Sequence, residues 1–232
     1  MHFGKARTFA SHQNDMGQSI LILGGTGQTG RHIVQEALEK GHWVTVMARH
    51  PERANFKEHP RMELVKGDVL NYVDVFNAVQ GIDVIISALG KDGGNVEVFT
   101  KGTTHIIKAM NKSNVKRFIC LSSLGAGSTR YLAGWQLRLI IWAGGLKACF
   151  EAKASQELML FQSNINFTLV MAGTLVNDSR FNRWYAALPD QTTCQGPMPA
   201  KIDRKEVASF LLSQTIDNSW VRKTVCLVGG TV

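Results

Sequence analysis

The sequence predicts an α/β domain, a doubly wound parallel sheet with helices on both faces, and three observations carry that prediction. Short apolar runs alternate with segments whose apolar residues recur every three or four positions. That order builds a parallel sheet joined by right-handed crossovers. The short runs are continuously apolar rather than alternating, as strands covered on both faces are. Finally, the first run, Ile20-Leu21-Ile22-Leu23, opens directly into a glycine cluster and then a helix.

Each element has its own signal. Ile33, Val34, Ala37 and Leu38 form one face of a helix over Gln28 to Lys40, which Gly41 stops. Residues 43–48 are β-branched and apolar and read as a second strand. A helical turn then starts at Pro51, and residues 62–68 make a third strand ending in Gly67-Asp68. A helix over about 72 to 80 presents Val75, Phe76 and Val79, and residues 83–90 form a fourth strand that runs into a small-residue turn. A longer helix spans roughly 95 to 112, and a fifth strand closes with Ser122-Ser123. Residues 125–148 are rich in Gly and Trp and carry no clear period. Helix 151–162, strand 167–171, an irregular polar stretch 173–199, a helix capped by Asp203 and a last strand 224–228 complete the chain.

The 232 residues are 44% hydrophobic, enough for one well-buried domain over residues 19–232. The net charge of +8 is spread along the chain rather than gathered into a basic stripe with aromatics. Attraction for small anionic ligands is therefore expected, and a nucleic-acid partner is not. Cys120, Cys149, Cys194 and Cys226 lie far apart, which argues against a zinc site or disulfide framework and favours a reducing, cytoplasmic setting. No apolar segment reaches membrane-spanning length, so no membrane role is expected. Residues 1–18 read as a disordered tail or an added extension. Lys5 and Arg7 with no acid before Asp15 weakly resemble an organelle transit peptide, while Met16-Gly17-Gln18-Ser19 has the look of a natural beginning.

The glycine cluster carries the functional argument. Gly24-x-x-Gly27-x-x-Gly30 and Gly25-x-Gly27-x-x-Gly30 both fit the Rossmann-type dinucleotide turn, in its required place between strand and helix. Gly24 permits the sharp turn, Gly27 the close approach of a pyrophosphate, and Gly30 close helix packing. The freed N–H groups, backed by the helix dipole, then face an anion. The residue ending the second strand reads the adenosine ribose, and here it is Arg49, with Arg53 one turn later and no carboxylate. Two guanidiniums suit a 2′-phosphate, so the expected cofactor is NADP(H) rather than NAD. Ligands in such sheets lie outside the carboxyl ends of the strands. That adds Asp68 and Val69, then Ala88, Leu89 and Gly90, then Ser122 and Ser123, and Ala172 after the sixth strand. Asp68 is either an adenine ligand or a turn carboxylate.

These residues resemble the atypical short-chain dehydrogenase/reductase superfamily, within it the NAD(P)H-binding group of biliverdin reductase B (flavin reductase) and the NmrA-like regulators. The motifs are Gly24-Gly25-Thr26-Gly27-Gln28-Thr29-Gly30, Ala48-Arg49-His50-Pro51-Glu52-Arg53, Gly67-Asp68-Val69, Ser122-Ser123, Lys153 with Glu157, and Ile202-Asp203-Arg204-Lys205-Glu206-Val207-Ala208. The resemblance implies backbone contacts from Thr26, Gln28 and Thr29 to NADPH, 2′-phosphate contacts from Arg49 and Arg53, and a nicotinamide near Ser123. It also implies a catalytic Tyr four residues before Lys153, where this chain has Cys149. Cys149 reads as a packing residue. Lys153 either touches the nicotinamide ribose or forms a surface i, i+4 pair with Glu157.

Two functions follow as expectations. One is an NADPH-dependent reductase of a flat conjugated acceptor such as a flavin or quinone, with Ser123 orienting the acceptor. Segments 125–148 and 174–199 would frame its pocket, with Tyr131, Trp135, Phe181, Trp184 and Tyr185 as stacking surface and Trp142 more naturally a packing or subunit contact. The other is an NADP(H) sensor that signals to a protein partner. Reduction or isomerisation of a nucleotide sugar or phenylpropanoid ranks last, because the chain is short for that substrate domain.

Overall fold

In the computed structural model, residues 17–90, 95–190 and 200–230 are described, apart from the side chains of residues 136, 137, 140 and 142. The readings of the N-terminal tail, of Cys194 and of the Trp142 side chain lie outside them.

Among the described residues, ten strands and six α-helices follow in chain order: β1 (Ser19–Leu23), α1 (Gln28–Glu39), β2 (Trp43–Ala48), β3 (Met62–Lys66), α2 (Tyr72–Ala78), β4 (Val84–Ser87), α3 (Glu97–Met110), β5 (Arg117–Ser123), α4 (Trp135–Ala143), α5 (Lys147–Gln162), β6 (Phe167–Ala172), β7 (Thr174–Val176), β8 (Arg183–Ala187), β9 (Lys201–Asp203), α6 (Arg204–Ser213) and β10 (Lys223–Gly230). The main sheet runs β3-β2-β1-β4-β5-β6-β10-β8. Every neighbouring pair is parallel except β10 with the edge strand β8. The chain builds outward from β1 to β3 and then returns to lay β4 beside β1, so the order reverses between β1 and β4.

Alternate residues of each strand serve opposite layers. Leu21, Leu23, Phe118 and Phe167 pack under α2, α3 and α5, with Phe99 and Leu160 among them. Ile20, Ile22, Val46 and Val225 pack under α1 and α6, against Ile33, Val34 and Phe210. β1 is flanked on both sides, Ile20 lying beside Val44 and Val84. The residues leading into the glycine turn are therefore buried.

Two expectations about regularity are corrected. The region 125–148 is not structureless: a 3₁₀ turn at Gly127–Leu132 and α4 fill it, and α5 starts at Lys147, ahead of the expected Glu151. The stretch 173–199 contains β7, a 3₁₀ turn at Ser179–Phe181 and β8, whose antiparallel pairing breaks the strictly parallel plan. These pieces are too short for a readable period. β7 gains its hydrogen bonds from β9, and β8 gains its own from β10. Asp203 caps α6 as expected, Oδ1 accepting from the Lys205 N–H at 2.8 Å. Its Oδ2 also accepts from the Asp178 N–H at 2.6 Å, which ties the excursion back to the helix.

Candidate cofactor and acceptor site

The glycine turn is shaped by what a side chain would strike. Gly24 has φ +78°, and a Cβ there would stand 2.6 Å from the Ala88 carbonyl oxygen. At Gly25 a Cβ would stand 2.7 Å from Val46 Cγ1, and at Gly30 it would overlap the Gly24 carbonyl. Gly30 thus closes the helix onto the turn itself rather than onto the sheet. Gly27 differs: the nearest atom to its added Cβ is Gly24 O at 3.3 Å, with open space beyond. That is the cradle a phosphate needs and a Cβ would fill. No side chain caps the start of α1, and no acid lies in its first turn. The first-turn N–H groups are therefore left for an anion.

Beside this turn, at the reversal of strand order, a cleft of about 220 Å³ opens. Gly24, Thr26 and Gly27 form one side; Arg49, Asp68 and Val69, from the ends of β2 and β3, form another; Ala88, Leu89 and Gly90 follow β4. Nine of the residues singled out in the sequence thus meet in one place. Met47, Gly67 and Val98 also line it. Met47 and Val98 had no signal of their own, since a strand-end methionine and a helix-start valine read as ordinary core. Among the described cleft residues Asp68 is the one acid, and its Oδ1 accepts from the Leu70 N–H at 2.9 Å. It serves the turn with that oxygen while still facing the cleft.

Other candidates fall elsewhere. Arg53 is exposed, its Nε 3.9 Å from Glu52, and it does not line the cleft. Thr29 is buried in the first turn of α1. Gln28 faces a separate polar groove with Arg31, His32 and Asp203. Ser123 is half-buried at the end of β5, beside Ala172 of β6. Ser122 is buried, and its Oγ has no hydrogen-bond partner among the described residues.

Lys153 corrects one alternative. It and Glu157 are 7% and 5% exposed, so they are no surface pair. Glu157 instead accepts from Ser128 N–H and Oγ–H and from Thr224 Oγ1–H. The Lys153 ammonium lies 4.7 Å from the centre of the Phe99 ring, with Cys120 and Cys149 nearby. Burial lowers its pKa below the usual lysine value. Burial likewise pushes the Cys120 thiol up to about 12. Cys149 is buried in the core, the packing position its sequence context suggested.

The aromatic wall expected around an acceptor is divided. Trp184 packs edge-on against Phe210 of α6, ring centres 5.0 Å apart. The neighbouring residue Tyr185 lies against Gly230. Tyr131 donates to the Pro189 carbonyl, and Trp135 is 73% exposed. Strand alternation sends Trp184 and Tyr185 to opposite faces of the sheet, so they do not build one slot.

A phosphate-accepting turn at the switch point of a parallel sheet defines a Rossmann-type NAD(P)-binding protein. The chain belongs to the NAD(P)H-binding family, which it matches over residues 24–218. It is 31% identical over 193 residues to an uncharacterised chloroplast protein of Arabidopsis thaliana, covering 74% of this chain and 67% of that one. It is 24% identical over 217 residues to the photosystem II assembly factor Ycf39 of Synechocystis, covering 90% of this chain and 62% of that one. Among solved structures, a short-chain dehydrogenase/reductase of Veillonella parvula in complex with NADP superposes with TM-score 0.74, at 20% identity, over 92% of this chain and 95% of that one. The anaerobillin reductase ChuY of Escherichia coli O157:H7 gives 0.75 at 16%, over 92% and 98%.

Proposed function

We propose that the protein is an NADPH-dependent reductase that delivers hydride to a flat, conjugated acceptor. The observation that carries this reading is Arg49 in the wall of the cleft, at the end of β2, where an NAD-selective site would place a carboxylate. The open backbone at Gly27 and the uncapped start of α1 fit a pyrophosphate, and the small residues Ala88 and Gly90 leave room for a ribose. When bound, NADPH supplies a hydride from its reduced nicotinamide ring.

The chain's own part is positioning. Thr26 and Gly27 hold the phosphates, Arg49 holds the 2′-phosphate, and Ser123 orients the acceptor at the end of β5. Lys153, buried on α5, would support the nicotinamide ribose when the cofactor is bound, with the buried Ser122 Oγ close to the end of β5. With Cys149 where the resemblance places a tyrosine, no side chain serves as a strong acid. The proton that accompanies the hydride comes from water, which suffices for an acceptor whose reduced form is a stable conjugated anion. ChuY, a reductase by name with the same fold, supports the class.

Fluorescence titration with NADPH and NADH, followed by NADPH oxidation with flavin and quinone acceptors, tests the proposal. Expected is a preference for NADPH of about tenfold or more, from the charge-assisted phosphate contacts, that Arg49→Ala removes. Equal affinities would overturn it. Two observations favour a second reading, an NADP(H) sensor: Cys149 stands where the resemblance places the acid, and one relative is an assembly factor by name. Tight NADPH binding with no turnover of any acceptor would select it.

A further inference from the structure

Arg31 closes the first turn of α1, its N–H donating to the Gly27 carbonyl at 2.9 Å. A helix start carries partial positive charge, so an acid is favoured there and a cation is not. No acid lies in that turn, and among the described residues no carboxylate pairs with Arg31. The unfavourable placement is offset by what the side chain holds. Nε donates to the Thr26 carbonyl at 3.2 Å, and Nη2 donates to the Ala54 carbonyl at 2.5 Å. Cζ stands 4.8 Å from the centre of the Phe56 ring, a stacked cation–π contact.

The two carbonyls belong to opposite sides of the cofactor cleft. Thr26 lines it from the glycine turn, and Ala54 ends the short segment that leaves the other wall at Arg49. That segment is compact, wound around the 3₁₀ turn at Pro51–Arg53. The Arg53 N–H donates to the His50 carbonyl at 3.1 Å, and the Ala54 N–H donates to the Pro51 carbonyl at 3.0 Å. Ala54 itself is buried. Holding its carbonyl therefore holds the turn as a unit, and with it the direction in which the chain leaves β2. Only a planar fork reaches two carbonyls from separate segments while lying over a ring; a lysine ammonium is a single point.

We infer that Arg31 is a positioning residue for cofactor selection. It ties the Arg49–Ala54 segment to the glycine turn and keeps the group that reads the 2′-phosphate in register with the backbone that takes the pyrophosphate. The selecting role rests on the NADPH reading above; the tie between the two segments does not.

Arg31→Lys keeps the charge and removes the fork. Fluorescence titration should show the parent preferring NADPH over NADH by about tenfold or more, and the variant losing most of that preference with NADH affinity unchanged. In an Arg49→Ala background the same change should cost NADPH nothing further, because no phosphate contact is left to position. A variant that keeps the parent's preference would reduce Arg31 to a charge, and an equal loss for both cofactors would reduce it to a structural support; either overturns the inference. Hydrogen exchange in the cofactor-free chain reads the tie directly. The Arg53 and Ala54 amides should exchange roughly tenfold faster in the variant, the scale of a lost hydrogen bond, while the β1 amides keep the parent's rates and show that the fold is intact. Unchanged exchange at Arg53 and Ala54 would overturn the tie. Equal affinities of the parent for the two cofactors would sink the NADPH reading and the selecting role with it, whereas faster exchange in the variant would still uphold the tie.

Discussion

The two halves of the sheet make the same kind of crossover by different means. β1 and β3 lead into α1 and α2 through short turns that begin with glycine, and β2 leads on through a 3₁₀ turn at Pro51–Arg53. Glycine and alanine supply much of the lining of the cofactor cleft. From β5 to β10 the connections carry α4, a 3₁₀ turn, β7, β8 and β9, and a cavity there is made of side chains from separate elements. The first half tolerates almost no change in backbone space at Gly24 and Gly30. The second leaves Trp135, Leu139 and Tyr185 exposed, and it can change its lining without touching the sheet. A shared cofactor with variable acceptors is what such a division permits.

The sharpest challenge to this contrast is a side chain added to the turn. Gly30→Val should destabilise the protein by about 3 kcal/mol, because its Cβ overlaps the Gly24 carbonyl and the neighbouring backbone cannot retreat. Thermal unfolding measures the loss; a Tm matching the parent's would mean the turn is looser than the geometry shows. Gly27→Val should do the reverse. Its Cβ meets one atom, Gly24 O at 3.3 Å, which a small shift relieves, so the fold survives, while NADPH affinity falls by about a hundredfold or more through the filled phosphate space. Retained binding would place the phosphates elsewhere.

Lys153 lies where the two halves meet, and its effects should be smaller and opposed. Lys153→Met removes a buried cation with no carboxylate partner among the described residues. It should raise Tm by about 2–4 °C while weakening NADPH by about tenfold. The pH dependence carries a further signature. Burial holds the folded pKa below the ordinary lysine value of 10.5, so between the two the unfolded chain binds more protons and stability rises with pH. Denaturant titrations across that window should show the rise in the parent and its absence in the variant.

Arg117 tests the closed end of the sheet, opposite both sites. It is buried, its pKa lowered to about 10 by desolvation, and its Nε and Nη1 have no hydrogen-bond partner among the described residues while Nη2 donates to Thr168 at 2.5 Å. Arg117→Met should raise Tm by about 2 °C and leave cofactor affinity unchanged, since Thr168 keeps its bond to the Trp220 carbonyl. The smallest effect belongs to Cys149→Ala. Turnover should stay within about twofold, because the thiol packs rather than donates a proton. A larger loss would give Cys149 the acid role denied to it here.

Residue type alone was enough to specify the half of the sheet that holds the cofactor cleft. A strand buried on both faces is continuously apolar, and a backbone turn with φ +78° strongly favours glycine, so both demands are written in the chain. The same is true of Arg49 at the end of β2 and of Asp203 at the start of α6, where one strand or helix terminus locates a side chain. The rest depends on packing between elements distant in sequence. Lys153 and Glu157 are spaced as a surface pair would be, and what buries them is the packing of α5 against α3, the sheet and the 3₁₀ turn. Trp184 and Tyr185 are adjacent in the chain and part company because β8 joins the sheet edge. The cavity ringed by Arg130 and Arg138 exists because α4 folds beside α5, a meeting of two helix faces that no local period encodes.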